Sequence, residues 1–348
     1  MSNAHDPSRI LEVGFAFWGS KVLLTAVELG LFTTLGETAM TGGALGRSLD
    51  LHPRGIWDFL DALVALGFLN REGNGAEAMY SNTEQTSRFL DKNKPEYIGG
   101  ILEMASQRLF RFWSDLGPAL KSGKPQNEVK HSQKPMFEVL YEDLPRLEQF
   151  MEAMRGASRG NFEAFAQKFD FSPYTTLCDV GGATGLLSSL VAREHPNIRC
   201  TTFDLPIVEP IARKWIEQAG LGDRIDVVSG DFLTDPLPKA DIITMGMILH
   251  DWNLEKKKHL IRLAYEALPD NGVFVAIENL IDDERRANAF GLMMSLNMLI
   301  EFGDAFDFTG VEFWDWCREA GFKRYEVMHL AGSCSAAIAY KRLIFSDG

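Results

Sequence analysis

A glycine-rich loop in the second half of the chain is the first candidate for a site of chemistry. It runs from Asp179 to Gly185, follows a short apolar run and precedes leucines at helical spacing. This order predicts a strand, a tight turn and a helix whose first N–H groups can bind an anionic group. Counted from Gly181, the dinucleotide fingerprint fails at Ala183 and Leu186, and no P-loop lysine follows. The loop is compatible with a nucleoside cofactor but fits neither of these two fingerprints.

Acidic residues end the next two predicted strands. Asp204 could accept hydrogen bonds from both hydroxyls of a ribose, or it could cap the helix that Pro206 opens. Asp231 could accept a hydrogen bond from an adenine amine while the ring of Phe232 covers the base. Ordinary turn chemistry is the alternative for Asp231. Three successive strand ends with a suitable polar residue favour a nucleoside site over three unrelated turns.

A histidine at the end of the fourth predicted strand is the candidate general base. With an ordinary pKa of about 6.5, His250 is largely neutral at pH 7 and can accept a proton. Glu278, which ends the next strand, and Asp307, in a later loop, could each accept the second imidazole N–H and fix its orientation. The alternatives are a structural histidine, a solvated strand end for Glu278, and for Asp307 a helix cap that Thr309 could equally provide.

The elements that position these residues alternate after residue 175. Strands are predicted at 175–180, 199–204, 225–229, 240–247, 272–278, 325–330 and 336–341. Helices are predicted at 185–194, 207–219, 254–268, 286–301 and 310–320. This alternation predicts an α/β domain with a doubly wound sheet and its ligand at the carboxyl ends of the strands.

The N-terminal part has a different pattern. Helical spacing covers residues 8–36 and 41–50, and a third helix opens at His52-Pro53 and closes at Gly67. A hairpin-like stretch around residues 73–75 follows. Three helices and a two-stranded wing predict a winged-helix-like domain. Residues 95–165 read as further helices, one of which is predicted to start at residues 150–154.

Charge and composition narrow the possible partners. The helix that would enter DNA offers one basic residue, Arg54, beside Asp58 and Asp61, and the 348-residue chain has a net charge of −13. Neither nucleic acid nor an anionic membrane is therefore an expected partner. The four cysteines have no C-x-x-C spacing, so free thiols and no metal site are expected. We see no signal peptide and no uninterrupted apolar run near 20 residues, which predicts a cytoplasmic protein.

As a set, six segments resemble the small-molecule O-methyltransferase family, which includes caffeate, flavonoid and bacterial natural-product enzymes. The pattern Asp-x-Gly-x-x-x-Gly is typical of the cofactor loop of class I S-adenosylmethionine-dependent methyltransferases. The matching segments are 179–185, 203–206, 230–232, 249–252, 267–272 and 319–322. Residues 26–32 and 60–67 are similar to the family's dimerisation domain, so the resemblance covers nearly the whole chain.

The resemblance implies three parts and one cofactor. Residues 1–100 would form a winged-helix-like, mostly α dimerisation domain, and residues 101–172 a helical linker that contributes to the substrate cleft. Residues 173–348 would form a Rossmann-like catalytic domain that binds S-adenosylmethionine. The partners implied are a second copy of the chain, bound through the N-terminal domain, and a hydroxylated small molecule.

The resemblance also assigns roles to single residues. His250 would be the base, Glu278 would orient it, and Asp307 stands where relatives have a second acid, usually Glu. Ala183 replaces a common glycine, and Gly246 stands where relatives often carry Lys or Arg near the cofactor. The residues implied to bind the cofactor are Ser158, Asp179, Gly181, Gly182, Gly185, Asp204, Asp231 and Phe232.

The expected reaction is transfer of a methyl group to a hydroxyl, phenolic or enolic, of a small aromatic or polyketide-like metabolite. His250 would remove the hydroxyl proton as the oxygen attacks. Two alternatives stay open at this point. The first is N- or C-methylation by an enzyme of the same fold, and the second is a winged-helix regulator that senses the cofactor.

Overall fold

A computed structural model describes residues 6–131 and 136–343. By its packing, the chain divides into two compact units, Met1–Arg111 and Phe112–Gly348. Residues 112–172 therefore pack as part of the second unit. The three-part division at residues 100 and 172 stays a prediction about the roles of these segments.

The first unit is mostly helical and contains a small sheet. Its strands β1, β2 and β3 form an antiparallel sheet in the order β1-β3-β2. The strands are Met40–Thr41, Leu69–Glu72 and Met79–Asn82. The helices α1 to α6 are Ser8–Glu28, Leu31–Leu35, Gly42–Ser48, Pro53–Ala65, Glu84–Phe89 and Gly99–Met104. A π-helical turn, Ala105–Leu109, and the short helix α7, Phe110–Phe112, lead to the boundary between the units.

Helix α4 shows how the sequence fixes the elements of this unit. Pro53 occupies its first turn, where no helical N–H partner is lost, and the His52 ring accepts the N–H of Arg54. Ile56, Leu60 and Leu63 recur at helical spacing and are buried. Gly67 follows the helix with φ of 80°, a left-handed conformation that ends helices.

Helix α1 carries a large exposed apolar face. Its exposed apolar residues include Ile10, Leu11, Val13, Phe15, Phe17 and Trp18. Among the described helices, it is the one with the length and apolar composition that a membrane crossing requires. An apolar surface of this kind on a protein usually marks a contact with another molecule.

The second unit has a seven-stranded sheet with helices around it. Its strands β4 to β10 are Thr176–Val180, Arg199–Asp204, Ile225–Ser229, Ile242–Gly246, Val273–Glu278, Arg324–His329 and Ser335–Tyr340. Helices α8 to α10 precede the sheet and are Leu116–Ser122, Met136–Tyr141 and Leu144–Lys168. The later helices α11 to α15 are Leu186–Glu194, Glu209–Gln218, Leu254–Ala267, Ala289–Phe302 and Gly310–Ala320.

The spatial order of the strands is β6-β5-β4-β7-β8-β10-β9. The first five run parallel to one another, and β10 runs antiparallel to both of its neighbours. Alternate residues of the strands point into two apolar clusters, such as Cys178 into one and Leu177 into the other. The predicted doubly wound, Rossmann-like α/β fold with an N-terminal, mostly α domain is confirmed.

Two helices begin later or earlier than the sequence pattern predicts. Helix α10 begins at Leu144, well before the apolar residues at 150–154, because Asp143 accepts the N–H of Arg146 and caps it. Helix α14 begins at Ala289 rather than at residue 286. The carboxylate of Asp282 accepts the N–H groups of residues 286, 287 and 288, which holds that segment in a turn. Asn288 then caps the helix.

Candidate active site

The glycine-rich loop is a tight cradle at the carboxyl end of β4. The N–H of Gly181 donates to the carbonyl of Phe203 at 2.8 Å, which fixes the loop against β5. Gly181 and Gly185 have φ of 70° and 71°, where a side chain would be strained. A Cβ at Gly182 would collide with the hydroxyl of Thr202 and lie 2.9 Å from a carboxylate oxygen of Asp179. Glycine is therefore required at Gly182 by packing against Thr202 and Asp179, and at Gly181 and Gly185 by the backbone conformation.

Ala183 adopts the left-handed conformation that the family's common glycine would adopt freely. Its φ is 48°, a conformation that costs a residue with a side chain about 1–2 kcal/mol. Its N–H donates to a carboxylate oxygen of Asp204 at 2.9 Å. The second oxygen of Asp204 accepts the N–H of Leu205 at 2.8 Å. The two predicted cofactor elements, loop and acid, are therefore in direct contact.

The carboxylates of this region are buried. Burial raises the pKa of Asp204 to about 6, against the pull of the two N–H groups that it accepts. Burial also raises the pKa of Asp179 to about 7, although the hydroxyl of Thr244 donates to it at 2.9 Å. Asp204 does not cap α12, whose first turn has no side-chain cap. The cap alternative for Asp204 is therefore wrong, and its ribose role stays a prediction.

Asp231 and Phe232 lie beyond the end of β6. One oxygen of Asp231 accepts the N–H of Leu233 at 2.8 Å, so a turn accounts for part of its role. The ring of Phe232 meets the indole of Trp252 edge to face, with centroids 6.1 Å apart. Trp252 immediately follows the turn that carries His250. The predicted adenine residues and the predicted base thus belong to one packed group.

Tyr141 of α9, which the sequence analysis did not single out, packs against the apolar cluster that Ala183 and Leu205 also contact. Burial raises the pKa of its phenol, and the negative charges of Asp204, Asp251 and Asp231 raise it further. Its phenol therefore lies in the field of two predicted cofactor acids and of the residue beside the base. The sequence signal was weak, because a single tyrosine on a short helix has no spacing to compare.

His250 lies on a buried helical turn, Leu249–Asp251, that follows β7. One oxygen of Glu278 accepts the N–H of Leu249 at 2.9 Å, and the N–H of His250 lies 3.4 Å away. Glu278 is 1% exposed, so the alternative of a solvated strand end is wrong. Glu278 holds the backbone of the turn. One of its carboxylate oxygens lies within 4.8 Å of a ring nitrogen of His250 and of a carboxylate oxygen of Asp307.

Two carboxylates flank the imidazole ring. An oxygen of Asp307 lies 3.5 Å from Nδ1, and an oxygen of Asp251 lies 3.4 Å from Nε2. Both distances exceed the usual length of a hydrogen bond, so the two carboxylates are in contact with the ring, and Nδ1 has no hydrogen-bond partner among the described residues. Thr309, and not Asp307, caps α15, through a capping box with Glu312. The helix-cap alternative for Asp307 is therefore wrong.

The charges around His250 favour its protonated form. Burial alone lowers the pKa of the imidazole, but the negative charges of Glu278, Asp251 and Asp307 outweigh burial and raise it. Burial raises the pKa of the Glu278 carboxyl, and the positive imidazole partly opposes this. The cluster binds protons more tightly than its isolated groups would.

His250, Glu278 and Asp307 have the number and kinds of ligand atom that a divalent cation could use. A fourth buried group opposes this. The ammonium of Lys257 shares the field of Glu278 and Asp307, and a positive charge beside the cluster disfavours a dication. We therefore assign no metal to these residues.

Helix α10 packs against the glycine-rich loop. The guanidinium of Arg155 donates to the hydroxyl of Thr184 at 3.1 Å and lies over the indole of Trp215 at 4.3 Å. Burial lowers the pKa of Arg155 to about 10. Ser158, the predicted carboxylate contact, is half-buried one turn further along the same helix. The sequence analysis named Ser158 and not Arg155, and the role of Ser158 toward the cofactor stays a prediction.

The structure explains the glycine at position 246. A Cβ there would lie 2.7 Å from the ring of Phe162, so this ring fills the space that a basic side chain would use. Phe162 belongs to α10 and Gly246 ends β7. The substitution of Gly for Lys or Arg is thus matched by an aromatic side chain from a distant segment.

Comparison with known proteins matches both units of this chain. Residues 113–323 match the family described as the O-methyltransferase domain, and residues 11–92 match the O-methyltransferase dimerisation domain. The chain is 38% identical over 340 residues to the tetracenomycin polyketide synthesis 8-O-methyl transferase TcmO of Streptomyces glaucescens, covering 98% of each chain. It is 33% identical over 315 residues to the N,N-dimethyltransferase OxyT of Streptomyces rimosus, covering 90% of each.

A solved structure matches equally well. The fold is similar to that of human N-acetylserotonin methyltransferase in complex with S-adenosylmethionine, with a TM-score of 0.88 and 28% sequence identity. The match covers 98% of this chain and 99% of the human one.

Proposed function

This chain belongs to the S-adenosylmethionine-dependent O-methyltransferase family, and on that premise we propose that it methylates a phenolic or enolic hydroxyl, with His250 as general base. The acceptor is a small aromatic or polyketide-like metabolite. The observation that carries the base assignment is the position of His250. It lies on a buried turn whose next residue, Trp252, packs on Phe232 of the cofactor crevice. This contact supports a position of the imidazole near the predicted cofactor crevice.

The residues of the crevice suit the cofactor. The backbone of Gly181, Gly182 and Gly185, with Ser158 beyond it, would hold the amino-acid part. Asp204 would accept from the ribose hydroxyls, and Asp231 with Phe232 would hold the adenine. When bound, S-adenosylmethionine supplies an activated methyl group and its own leaving group. The protein then contributes alignment and proton removal.

His250 would take the hydroxyl proton at Nε2, while Asp307 on the Nδ1 side stabilises the charged ring. Glu278 keeps the turn in place through the backbone N–H of Leu249. A raised pKa makes the imidazole a stronger base, which suits a phenol, whose pKa is about 10. Base catalysis of this kind contributes roughly 10²–10⁴ to the rate.

The similarity to OxyT supports a second candidate, methylation of an amine. An amine is nucleophilic without a base, whereas a hydroxyl must lose its proton. The geometry favours oxygen, because a buried histidine flanked by Asp251 and Asp307 is arranged to accept and hold a proton. The regulator hypothesis is not retained, because the N-terminal unit matches a dimerisation domain.

The test is an assay with S-adenosylmethionine and matched panels of phenolic polyketides and aromatic amines, read by mass spectrometry for the gain of one methyl. His250→Ala is compared with His329→Ala, a control at an exposed histidine. We expect methylation of a phenol, a loss of at least a hundredfold in kcat in His250→Ala, and no change in the control. Full turnover by His250→Ala, or methylation confined to amines, would contradict the proposal.

We further propose that the protein is a homodimer and is cytoplasmic. The exposed apolar face of α1 lies inside the segment that matches the dimerisation domain. A second copy of the same surface would cover it without a membrane. The net charge of −13 disfavours binding of this face to an anionic lipid surface.

A further inference from the structure

Lys257 is a buried lysine on a helix that otherwise buries apolar residues. It is 0% exposed, and it lies on the face of α13 formed by Leu260, Ile261 and Ala264. Its neighbour Lys256 is exposed. An isolated charge is costly to bury, so a lysine at this position must be compensated by what surrounds it.

The near partners of the ammonium are a carbonyl and an aromatic ring. Nζ donates to the backbone carbonyl of Trp252, the residue that follows the turn bearing His250. Nζ also lies 3.8 Å from the ring centroid of Phe306, in the loop that leads to Asp307. The Lys257 side chain therefore contacts both the segment that follows His250 and the loop that leads to Asp307.

The ammonium also lies in the field of the carboxylates that surround His250. Glu278, Asp307 and Asp251 raise the pKa of Lys257, but burial is stronger and lowers it to about 8. Lys257 is thus largely charged at neutral pH. Its positive charge acts on the same three carboxylates that hold a proton on the imidazole.

We propose that Lys257 is a positioning residue for methyl transfer, which fixes the turn of His250 through the Trp252 carbonyl and opposes the carboxylate charges that keep the imidazole protonated. The inference rests on the proposed role of His250 as base. A base must be neutral to accept the proton, and three carboxylates without a compensating cation would make that state rare. Lys257 opposes the carboxylate charges and so makes the neutral form of His250 less rare.

The charged groups that face this cluster come from every element around it. Asp251 belongs to the turn itself, Glu278 ends β8, Asp307 precedes α15, and Lys257 comes from α13. Glu301 of α14 is buried and adds its field at Asp251. Asp304, in the loop before Asp307, also acts on Lys257. Three acidic groups act on the ring directly, and every charged group named here except Lys257 is acidic, so removal of the ammonium has one expected direction.

Three substitutions at this position separate charge from hydrogen bonding. Lys257→Gln can still donate to the Trp252 carbonyl but has no charge. Lys257→Arg keeps the charge, and Lys257→Met loses both. Lys256→Met is the matched control, because its ammonium is exposed and lies over the ring of Trp252.

In the profile of kcat/KM against pH, the acidic limb is the part where activity falls as His250 becomes protonated. We expect Lys257→Gln to move this limb to higher pH by about one unit. At pH values below the limb, kcat/KM is then about tenfold lower than in the parent. Lys257→Met should show the same shift with a lower thermal midpoint, and Lys257→Arg should keep the limb near that of the parent. Lys256→Met should match the parent throughout. S-adenosylhomocysteine affinity should change less than twofold in all four variants.

An NMR titration of the His250 ring in the absence of substrate gives a readout independent of turnover. A rise in the pKa of His250 in Lys257→Gln is the expected result. An unchanged ring pKa and an unshifted limb, in a folded variant, would overturn the proposal. If the ring pKa rises but His250→Ala retains full turnover, the base assignment fails while the effect of the charge stands. The two failures are thus distinguishable.

Discussion

The ring of Phe162 occupies the space that a side chain at Gly246 would need. The two residues come from α10 and from the end of β7, and a Cβ at position 246 would lie 2.7 Å from the ring. The family resemblance implies a basic residue near the cofactor at this position. Here that residue and the aromatic ring exclude each other, so the pair must change together.

We therefore predict that Gly246→Lys destabilises the protein instead of restoring a basic contact. Forcing a side chain against the packed ring of Phe162 costs about 1–3 kcal/mol. The double variant Gly246→Lys/Phe162→Ala should recover part of this loss, because the second change opens the space. Thermal unfolding of the two single variants and the double variant checks this. Strictly additive losses would show that the two positions do not interact.

Arg155 should be required for cofactor affinity through its contact with the loop. Arg155→Met removes a charge-assisted hydrogen bond to Thr184, so the loop loses its tie to α10. We expect the Kd for S-adenosylhomocysteine, measured by calorimetry, to rise about fivefold to tenfold. Arg193→Met, at the exposed end of α11, is the control and should bind like the parent. Equal affinity of both variants for S-adenosylhomocysteine would show that Arg155 does not contribute to cofactor binding.

Activity should rise with pH through the titration of His250. Because the surrounding carboxylates raise the pKa of His250, the neutral base becomes more abundant as pH increases above 6.5. Asp307→Asn removes one of these negative charges. In its profile of kcat/KM against pH, the acidic limb should therefore lie at lower pH than in the parent. Its kcat should fall about tenfold, because the charged ring loses a stabilising partner.

Asp270→Asn is the control for Asp307→Asn, since Asp270 is exposed and accepts a hydrogen bond from Arg342 at 2.9 Å. Its pH profile should overlay that of the parent. A limb that moves to higher pH in Asp307→Asn would mean that the sign of the charge effect is wrong.

The apolar face of α1 should be the dimer contact. Ile10→Glu and Phe17→Glu place a charge on this face, and burying an unpaired charge is costly, so both variants should be largely monomeric. Light scattering after size exclusion measures the mass. Val311→Glu, at an exposed apolar residue of α15, should leave the dimer intact. A parent protein that is monomeric, or that sediments with neutral lipid vesicles, would contradict a dimer at this face.

The sequence predicts most of the second unit because local signals agree there. The strands β4, β7, β8 and β10 are buried almost throughout, and Asp204, His250 and Glu278 follow or end strands where a sheet presents its carboxyl ends. The starts of α10 and α14 were placed wrongly because Asp143 and Asp282 act through single carboxylates that periodicity does not weigh. The match of these four strands reflects burial on both faces, which leaves little freedom in where each begins.

The rest of the site depends on contacts between distant segments. Lys257 lies at helical spacing from the buried residues Leu260, Ile261 and Ala264, so the sequence could predict that it is buried. The spacing does not indicate what a buried lysine does there. Arg155 contacts Thr184 and Trp215, which are distant from it in the sequence, so the contacts are visible only in the fold. The sequence shows that Gly246 departs from the basic residue common in the family. The physical reason is the ring of Phe162, which fills the space beside it.

The position of β10 has a consequence for how this protein is made. It is the last strand in the chain, yet it lies between β8 and β9 inside the sheet. While the chain leaves the ribosome, β4 to β8 can assemble first, but β8 remains an open edge until residues 335–340 have emerged. Open edges pair with other chains. A premature stop shortly before Ser335 would therefore yield insoluble protein, and not a shortened enzyme.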